Sequence, residues 1–375
     1  MFGAALQAKL CSGSVPQTRI DSAFGGVLQY LYHIDLGNNM KKATILFTLL
    51  CIIAALCVSV TACADEDPQY DAFFSQWQNA IEDETPIKRI AIPGSHDAGS
   101  VGMVPIACTQ RDAIADQLRG GVRYFDTRVT QSGGKLKIFH GPIKGVDFEP
   151  IATALATFMR EHPSEFVIVD FQKLSTDAID PLLRLLDTSG LRDLAVVNAT
   201  DAAPLEFVDA LTLGDVRGKI LFTWGEADDR PAPIPDGAQD WLFPRNNDEC
   251  SLSGSVLDSL YQGDLHRKSS EEFIRSAMPE YHEHYADKDK GLWVLQCQRT
   301  GGADLYLSEK SHNDNMNAYL LDLYDSPELE RVNIVMRDYV TDHDLQKVKI
   351  ILGMNDAKGI LSADHASEYR AKIAA

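Results

Sequence analysis

The chain is poor in basic residues. Of its 375 residues, 35 are lysine or arginine and 54 are aspartate or glutamate, so the formal net charge is −19 at pH 7. Nucleic-acid binding requires clustered positive charge. The composition therefore argues against a nucleic-acid partner, and it gives the protein no general attraction to anionic lipid surfaces.

Cysteines are also few. After Cys63 only Cys108, Cys250 and Cys297 remain, an odd number without the short paired spacing of zinc sites. No zinc site or disulfide framework is predicted, although one disulfide of unknown pairing stays possible in an exported protein. The stretch His282-Glu283-His284 lies in a largely polar segment and is more typical of a solvated helix face than of metal ligands.

Long apolar runs are confined to one place near the N-terminus. Lys41-Lys42 precede an apolar run from 43 to 60, and Val60-Thr61-Ala62-Cys63 follows. A basic start, a short apolar core and small residues before the cut are typical of a secretory signal. The last four residues resemble a bacterial lipobox, in which Cys63 is lipidated and becomes the first mature residue. About 18 apolar-leaning residues are also near the minimum for a single-pass anchor, which is the alternative.

This segment divides the chain into four parts. Met40 lies directly before the basic pair, and residues 1–39 carry no signal pattern, so we interpret them as a mis-annotated N-terminal extension. Residues 40–62 are the predicted lipoprotein signal peptide, 63–85 a lipidated cysteine, tether and N-terminal helix, and 86–375 a single large domain. Four of the 35 basic and two of the 54 acidic residues precede Cys63, so the mature chain has a net charge of −21. We expect an exported lipoprotein on the outer side of a bacterial membrane; its oligomeric state is left open.

Strand-like and helix-like segments alternate through the catalytic domain. Strands are predicted at 88–92, 122–129, 136–139, 166–172, 219–224, 292–297 and 332–340, and helices at 107–119, 148–161, 180–186, 270–285, 313–323 and 342–352. Alternation over about 250 residues predicts an α/β fold and favours a (β/α) barrel over a doubly wound sheet. Only residues 131–134 separate the strand segment that carries Arg128 from the segment that runs from Lys135 to His140. That is too short for a parallel crossover, so these two strands should form a hairpin.

Two histidines follow predicted strands and are flanked by small residues. His96 lies in Gly94-Ser95-His96-Asp97-Ala98-Gly99, and His140 lies in Phe139-His140-Gly141. Imidazole exchanges protons near neutral pH, so the pair suggests a general base and a general acid. A lone histidine more often satisfies local backbone groups, but the residues between these two favour chemistry.

Those residues form a predicted strand with one polar face. Alternation places Tyr124, Asp126 and Arg128 on that face. An ordinary ion pair on a half-exposed strand is the simpler interpretation. Beside two histidines, however, an arginine fork held by an aspartate is suited to binding phosphate oxygens.

Five motifs in this order resemble the X domain of bacterial phosphatidylinositol-specific phospholipase C. They are 94–99, Phe125-Asp126-Thr127-Arg128, 139–141, 163–169 and 332–340, and the resemblance spans about residues 86–345. The resemblance implies a single catalytic domain with a distorted TIM-type barrel and a phospholipid substrate with an inositol head group. It also implies release of diacylglycerol and a cyclic inositol phosphate without a metal or other cofactor.

The resemblance also assigns roles to individual residues. His96 would be the base, oriented by Asp338, and His140 would be the acid, assisted by Asp97. Arg128, positioned by Asp126, would neutralise charge on the phosphate. For head-group binding the match is loose: Gln172-Lys173 stand where the family has a lysine, and Thr223-Trp224-Gly225-Glu226 stand where it usually has a basic residue.

Two other functions compete with this one. A glycerophosphodiester phosphodiesterase would use a similar barrel and histidine pair, together with a carboxylate-bound divalent metal; Arg128 stands where such a site needs another carboxylate. A non-catalytic surface lipoprotein could retain the barrel only to bind inositol lipids or glycans.

Overall fold

The computed structural model describes residues 70–246, 254–286, 288–301 and 304–374. The predicted extension, signal peptide, Cys63 and the start of the tether lie outside the described residues. The N-terminal helix predicted within 63–85 is a 3₁₀ helix, Phe74–Ala80, with a kink at Gln76, whose backbone departs from helical geometry. None of the helices in the described ranges is both long and apolar enough to cross a membrane.

The described ranges contain eleven strands. They are β1 (Ile92–Ser95), β2 (Tyr124–Ser132), β3 (Lys135–His140), β4 (Ile143–Asp147), β5 (Phe166–Leu174), β6 (Lys219–Ala227), β7 (Arg230–Pro231), β8 (Leu242–Asn246), β9 (Leu257–Asp258), β10 (Leu292–Gln296) and β11 (Ile334–Arg337).

Eight of these strands close into a parallel barrel. The order around the barrel is β1, β2, β5, β6, β8, β9, β10, β11, and β11 pairs again with β1. Every neighbouring pair in this circuit is parallel. Closure confirms the TIM-type barrel and excludes the doubly wound sheet, which would have two open edges. The carboxyl ends of all eight strands meet at one rim, where barrel active sites are built.

Helices surround the barrel. The α-helices of the described ranges are α1 (Ile114–Arg119), α2 (Phe148–Glu161), α3 (Ile179–Thr188), α4 (Pro204–Asp209), α5 (Leu213–Val216), α6 (Gly263–His266), α7 (Ser270–Ala286), α8 (Leu305–Lys310), α9 (Asn313–Asp322), α10 (Asp342–Ala357) and α11 (Ala366–Ala374). Strands such as β5 and β10 are apolar along most of their length because both of their faces are buried.

The predicted hairpin is confirmed. β3 pairs antiparallel with β2 across Gly133 and Gly134, which both take the positive φ that a tight turn needs. β4 then pairs antiparallel with β3, so residues 135–147 form an arm outside the parallel circuit. His140 is the last residue of β3 and is therefore carried by this arm.

Several predicted boundaries were wrong. The strand predicted at 88–92 begins only at Ile92, because Ile87–Arg89 form a 3₁₀ turn. The helix predicted over 107–119 is limited to Ile114–Arg119, because residues 107–113 run as a loop whose polar groups bind the neighbouring backbone. Strands β8 and β9 were missed since they are short and carry no alternating pattern.

The 163–169 motif has a structural role in the described chain. Glu165 and Arg123 are both fully buried and form an ion pair, with Arg123 Nη2 2.8 Å from Glu165 Oε2. Arg123 also donates to the backbone carbonyls of Leu118 and Ser75, so its guanidinium ties α1 and the N-terminal segment to the barrel. Neither residue lines the cleft at the rim.

Candidate active site

A cleft of about 580 Å³ opens at the carboxyl ends of the barrel strands. It is lined by His96, Ile106, Arg128, His140, Gln172, Lys173, Tyr261, Gly263, Asp264, Arg267, Gln296, Thr300 and Leu305. Hollows of about 750 and 830 Å³ lie between the outer helices, away from this rim. Both predicted histidines line the cleft at the rim, although it is smaller than either hollow. We therefore assign the candidate site to this cleft because of its side chains and not because of its volume.

His96 follows the last residue of β1 and is 6% exposed. Its Nδ1 lies 2.7 Å from Oδ1 of Asp338, which follows the last residue of β11, and its Nε2 lies 3.4 Å from Oδ2 of Asp97. Burial lowers the pKa of His96, but the two carboxylates outweigh it and raise the pKa to about 9. In the free site the two carboxylates thus favour the protonated form of His96.

Asp338 is fully buried, and burial raises the pKa of its carboxyl group against the opposing effect of His96. A carboxylate on Nδ1 leaves Nε2 as the atom that exchanges protons, since the paired nitrogen retains its hydrogen. The structure thus places Asp338 beside His96, as the family resemblance implied.

Asp97 lies close to Arg128 and to both histidines of the cleft. Its Oδ1 lies 2.6 Å from Arg128 Nε, and its Oδ2 lies 3.4 Å from His96 Nε2 and 3.7 Å from His140 Nδ1. Burial acts to raise the pKa of Asp97, but Arg128 and the two histidines lower it overall. One carboxylate thus stands between the predicted base, the predicted acid and the guanidinium.

Asp126 contacts Arg128 less closely than the sequence suggested. Its Oδ2 lies 3.5 Å from Arg128 Nη2 and also accepts a 3.3 Å hydrogen bond from the Asp97 amide. The shorter contact to Arg128 is made by Asp97, whose backbone takes a left-handed turn (φ 44°) beside Asp126 of β2. Asp126 holds both Arg128 and the turn that carries Asp97.

His140 reaches the cleft from the arm. Its side chain is 26% exposed, and its Nδ1 lies 3.1 Å from the carbonyl oxygen of Ala107. A carbonyl only accepts hydrogen bonds, so Nδ1 carries a hydrogen and Nε2 remains as the second proton-exchanging atom. The loop 107–113, predicted as a helix, supplies this contact.

Three described side chains could together hold a metal ion. Ligand atoms of His96, Asp97 and Asp126 lie within 4.8 Å of one another. Both carboxylates are already engaged by Arg128, at 2.6 and 3.5 Å. The cluster thus contains its own cation, and the donor set fits a guanidinium at least as well as a divalent ion.

The predicted head-group residues lie at the end of β5. Gln172 and Lys173 both line the cleft, and Lys173 Nζ lies 2.7 Å from Oε1 of Glu226, which is 1% exposed. Glu226 is part of the β6 segment in which a basic residue was expected and is absent. The cleft therefore carries a lysine–carboxylate pair at this end.

Sequence reasoning missed several cleft residues. Tyr261 and Arg267 lie in and after short segments that follow β9, and the two-residue strand gives no periodic signal. Gln296 could have been found, because it is a polar residue at the carboxyl end of an otherwise apolar strand. Arg245 is fully buried inside the barrel, where its Nε lies 3.1 Å from Asp170 Oδ2, and Gly225 leaves space for its side chain.

Comparison with known families gives a match over part of the chain. Residues 86–216 match the PI-PLC X 1 domain model. The 1-phosphatidylinositol phosphodiesterase of Listeria monocytogenes is 30% identical over 212 residues, which cover 54% of this chain and 62% of that protein. The human PI-PLC X domain-containing protein 2 is 28% identical over 117 residues, which cover 23% of this chain and 38% of that protein. The chain thus matches less than two thirds of the length of either relative.

Solved structures show the same fold. The phosphatidylinositol-specific phospholipase C from Listeria monocytogenes aligns with a TM-score of 0.58 at 22% identity, covering 75% of this chain and 98% of that one. A pentafluoro-Phe variant of the enzyme from Staphylococcus aureus aligns with a TM-score of 0.57 at 16% identity, covering 74% and 96%. At these identities the likeness concerns the barrel and not the activity.

Proposed function

We propose that this chain, which belongs to the bacterial PI-PLC X-domain family, is a phosphodiester lyase that releases diacylglycerol and a cyclic inositol phosphate from an inositol phospholipid. One observation carries the proposal: both imidazoles and the Arg128 guanidinium converge on the single carboxylate of Asp97. A base, an acid and a fixed cation within one cleft are the groups that an internal phosphoryl transfer needs.

In the proposed reaction, the inositol 2-hydroxyl attacks the adjacent phosphorus. In the neutral form of His96, Nε2 accepts the hydroxyl proton while Nδ1 keeps its hydrogen bond to Asp338. The bond from phosphorus to the diacylglycerol oxygen breaks, and His140 donates a proton to that oxygen. Because the nucleophile belongs to the substrate, positioning replaces a bimolecular encounter.

Arg128 neutralises the charge that develops on the phosphate oxygens. Burial lowers the pKa of Arg128, but Asp97 and Asp126 outweigh this effect and raise the pKa further above its already high value. The guanidinium is therefore always charged, and its planar fork is suited to two phosphate oxygens. This step needs no metal ion.

The substrate class is supported by the two ends of the cleft. Gln172 and the Lys173–Glu226 pair offer hydrogen-bond donors and acceptors suited to a polyhydroxyl head group. Ile106 and Leu305 form an apolar part of the lining, and Ile106 is 54% exposed. Such a rim suits the glyceride part of a lipid.

Phosphorus NMR tests the proposal. Wild-type protein is incubated with phosphatidylinositol, a glycosylated inositol phospholipid and phosphatidylcholine, and a cyclic phosphodiester signal is expected with inositol lipids only. The His96→Ala variant is the control. Binding of inositol lipid without turnover would favour the non-catalytic lipoprotein, and a non-cyclic product formed only with added metal would favour the glycerophosphodiester phosphodiesterase.

We also propose the anchor expected from Val60-Thr61-Ala62-Cys63: cleavage before Cys63 and lipidation of its sulfur, with the barrel outside the cytoplasm. Two or more acyl chains bind a membrane stably, so Cys63→Ala should release the protein or block its maturation. Mass spectrometry of membrane-bound protein would reject the anchor if Cys63 were intact and unmodified.

A further inference from the structure

The side chain of Gln110 lies between the two strand ends that carry His96 and Asp338. It is fully buried. Its Nε2 donates to the carbonyl oxygens of His96 at 2.9 Å and Arg337 at 3.0 Å, and its Oε1 accepts from the Val340 amide at 3.1 Å. Three of the bonds that this amide can make therefore go to the backbone around the candidate base and its carboxylate.

We propose that Gln110 is a positioning residue that cross-links the ends of β1 and β11 and thereby sets the contact between His96 and Asp338. The inference rests on the proposed function, in which this contact orients the base. Gln110 does not line the cleft, so it acts through the other two residues.

The need for such a cross-link follows from where the strands stop. The last registered pair of β1 and β11 is Ser95 with Arg337, and His96 N to Arg337 O, at 3.2 Å, is the next backbone bond. His96 and Asp338 both lie beyond this ladder. Their 2.7 Å side-chain contact depends on two loops, and hydrogen bonds weaken steeply with misalignment.

The loop at Asp338 has a backbone conformation that requires support. Tyr339 takes φ 46°, a left-handed conformation that is uncommon for a bulky residue. On one side, Lys347 Nζ donates to the carbonyls of Asp338 and Tyr339 at 2.6 and 3.0 Å. On the other, the Thr109 carbonyl accepts from the Tyr339 amide at 2.7 Å, next to Gln110. Gln110 is the described side chain that bonds to the backbone of both strand ends.

A primary amide is well suited to this position. It offers two donor hydrogens for two carbonyls and an oxygen for an amide, whereas a carboxylate would set negative charge against both carbonyls. Gln110→Met keeps a similar length and apolar volume but removes all three bonds. Asn333 provides a matched control, because it is equally buried and its Nδ2 donates to the carbonyls of Ile87 and Ile90 at the opposite end of the same strand pair.

The kinetic test compares full-length wild type, Gln110→Met and Asn333→Leu on phosphatidylinositol. We expect Gln110→Met to lower kcat about 10- to 100-fold with KM changed by less than about threefold, since misplacement by about 1 Å can cost a hundredfold. Asn333→Leu should stay within about twofold in kcat despite a similar loss of stability. In an Asp338→Asn background, Gln110→Met should lower kcat by less than about threefold, because Asp338→Asn has already weakened the contact that Gln110 sets.

A second measurement does not depend on turnover. The short hydrogen bond of His96 Nδ1–H to Asp338 should give a downfield proton NMR signal that is lost in Gln110→Met and kept in Asn333→Leu. The signal could be lost in folded Gln110→Met and kept in Asn333→Leu although the wild type turns over no inositol lipid. That result would support the positioning role of Gln110 and reject the proposed function. An unchanged signal and kcat in Gln110→Met, equal kcat losses in both variants, or full additivity with Asp338→Asn would overturn the positioning role. If Gln110→Met does not fold, Gln110→Asn, one methylene shorter, is judged by the same outcomes.

Discussion

The two candidate histidines are held by different parts of the molecule. His96 is attached to the barrel, its side chain is 7% exposed, and it contacts two buried carboxylates. His140 is carried by the β3–β4 arm, its side chain is 26% exposed, and its closest polar contact is a backbone carbonyl. The barrel thus sets the electrostatics of the candidate base, whereas the arm places the candidate acid at a position partly open to solvent.

The arm is fixed to the barrel by close packing at small residues. Ile138, two residues before His140, is buried, and a Cβ placed on Gly99 would lie 2.6 Å from its Cγ1. On the other arm strand, Gly145 packs against Met103, which lies in the loop that follows β1. The same loop therefore carries the candidate base and receives the arm that carries the candidate acid.

The largest expected effect is the loss of turnover when either histidine is replaced, and the rescue of each variant distinguishes the base from the acid. His96→Ala and His140→Ala should each lower turnover at least about a hundredfold, the usual scale for a positioned proton-transfer group. A substrate whose leaving group has a low pKa should rescue His140→Ala far more than His96→Ala, because such a leaving group needs little protonation. Turnover of phosphatidylinositol is compared with that of an aryl phosphodiester of inositol.

Equal rescue of both variants would contradict the assignment of base to the barrel and acid to the arm. Full activity in either variant would remove that histidine from the chemistry. Circular dichroism of both variants provides the control for folding.

Arg128 tests whether the barrel supplies its own cation. Arg128→Lys should lower kcat about a hundred- to thousandfold, since loss of one charge-stabilising donor commonly costs about 2.7 to 4 kcal/mol of barrier and an ammonium ion cannot reproduce the bidentate fork. Wild-type activity should persist in excess EDTA.

The matched comparison is wild type in EDTA, followed by added calcium or magnesium. Loss of activity in EDTA with recovery on adding calcium would assign the His96–Asp97–Asp126 cluster to a metal ion and move Arg128 from the chemistry to structure. If the wild type keeps its full rate in EDTA and Arg128→Lys is also active, only the proposed role of the Arg128 guanidinium is rejected.

Much of the site was predictable because it lies in short, ordered motifs at strand ends. The barrel follows from alternating strands and helices, and the hairpin follows from the four-residue connection 131–134. The approach of His96 to Asp338 was implied by the resemblance of their motifs to the phospholipase C X domain. The strong bond between Asp97 and Arg128 was not predictable. It depends on the left-handed turn at Asp97, which alternation along β2 does not encode.

Gln110 shows why the rest of the site was hidden. Residues 107–119 have apolar spacing that suggests a helix, but the polar groups of Thr109 and Gln110 satisfy backbone atoms of two distant loops. Tertiary hydrogen bonds outweigh helix propensity in such a segment. Sequence spacing also gave no sign of Tyr261 and Arg267, because each depends on a loop and not on a periodic element.

The smallest expected effect is a shift in the pH dependence of kcat/KM, which should report the ionisation of His96, the histidine attached to the barrel. The carboxylates raise the pKa of His96 to about 9, so its neutral, basic form accumulates as pH rises toward that value. In wild type, kcat/KM should therefore climb with pH through the neutral range.

Asp338→Asn removes one carboxylate, so the rising limb should move down by at least about one pH unit, which corresponds to about 1.4 kcal/mol. The maximum rate should fall about 10- to 100-fold, because the neutral amide holds Nδ1 less firmly and stabilises the imidazolium less. Asp342→Asn, a nearby carboxylate paired with Arg111 and not with His96, is the control and should leave the limb in place. If the limb does not move in Asp338→Asn, another group titrates, and the contrast between a base tuned by buried carboxylates and a partly exposed acid on the arm loses its electrostatic basis.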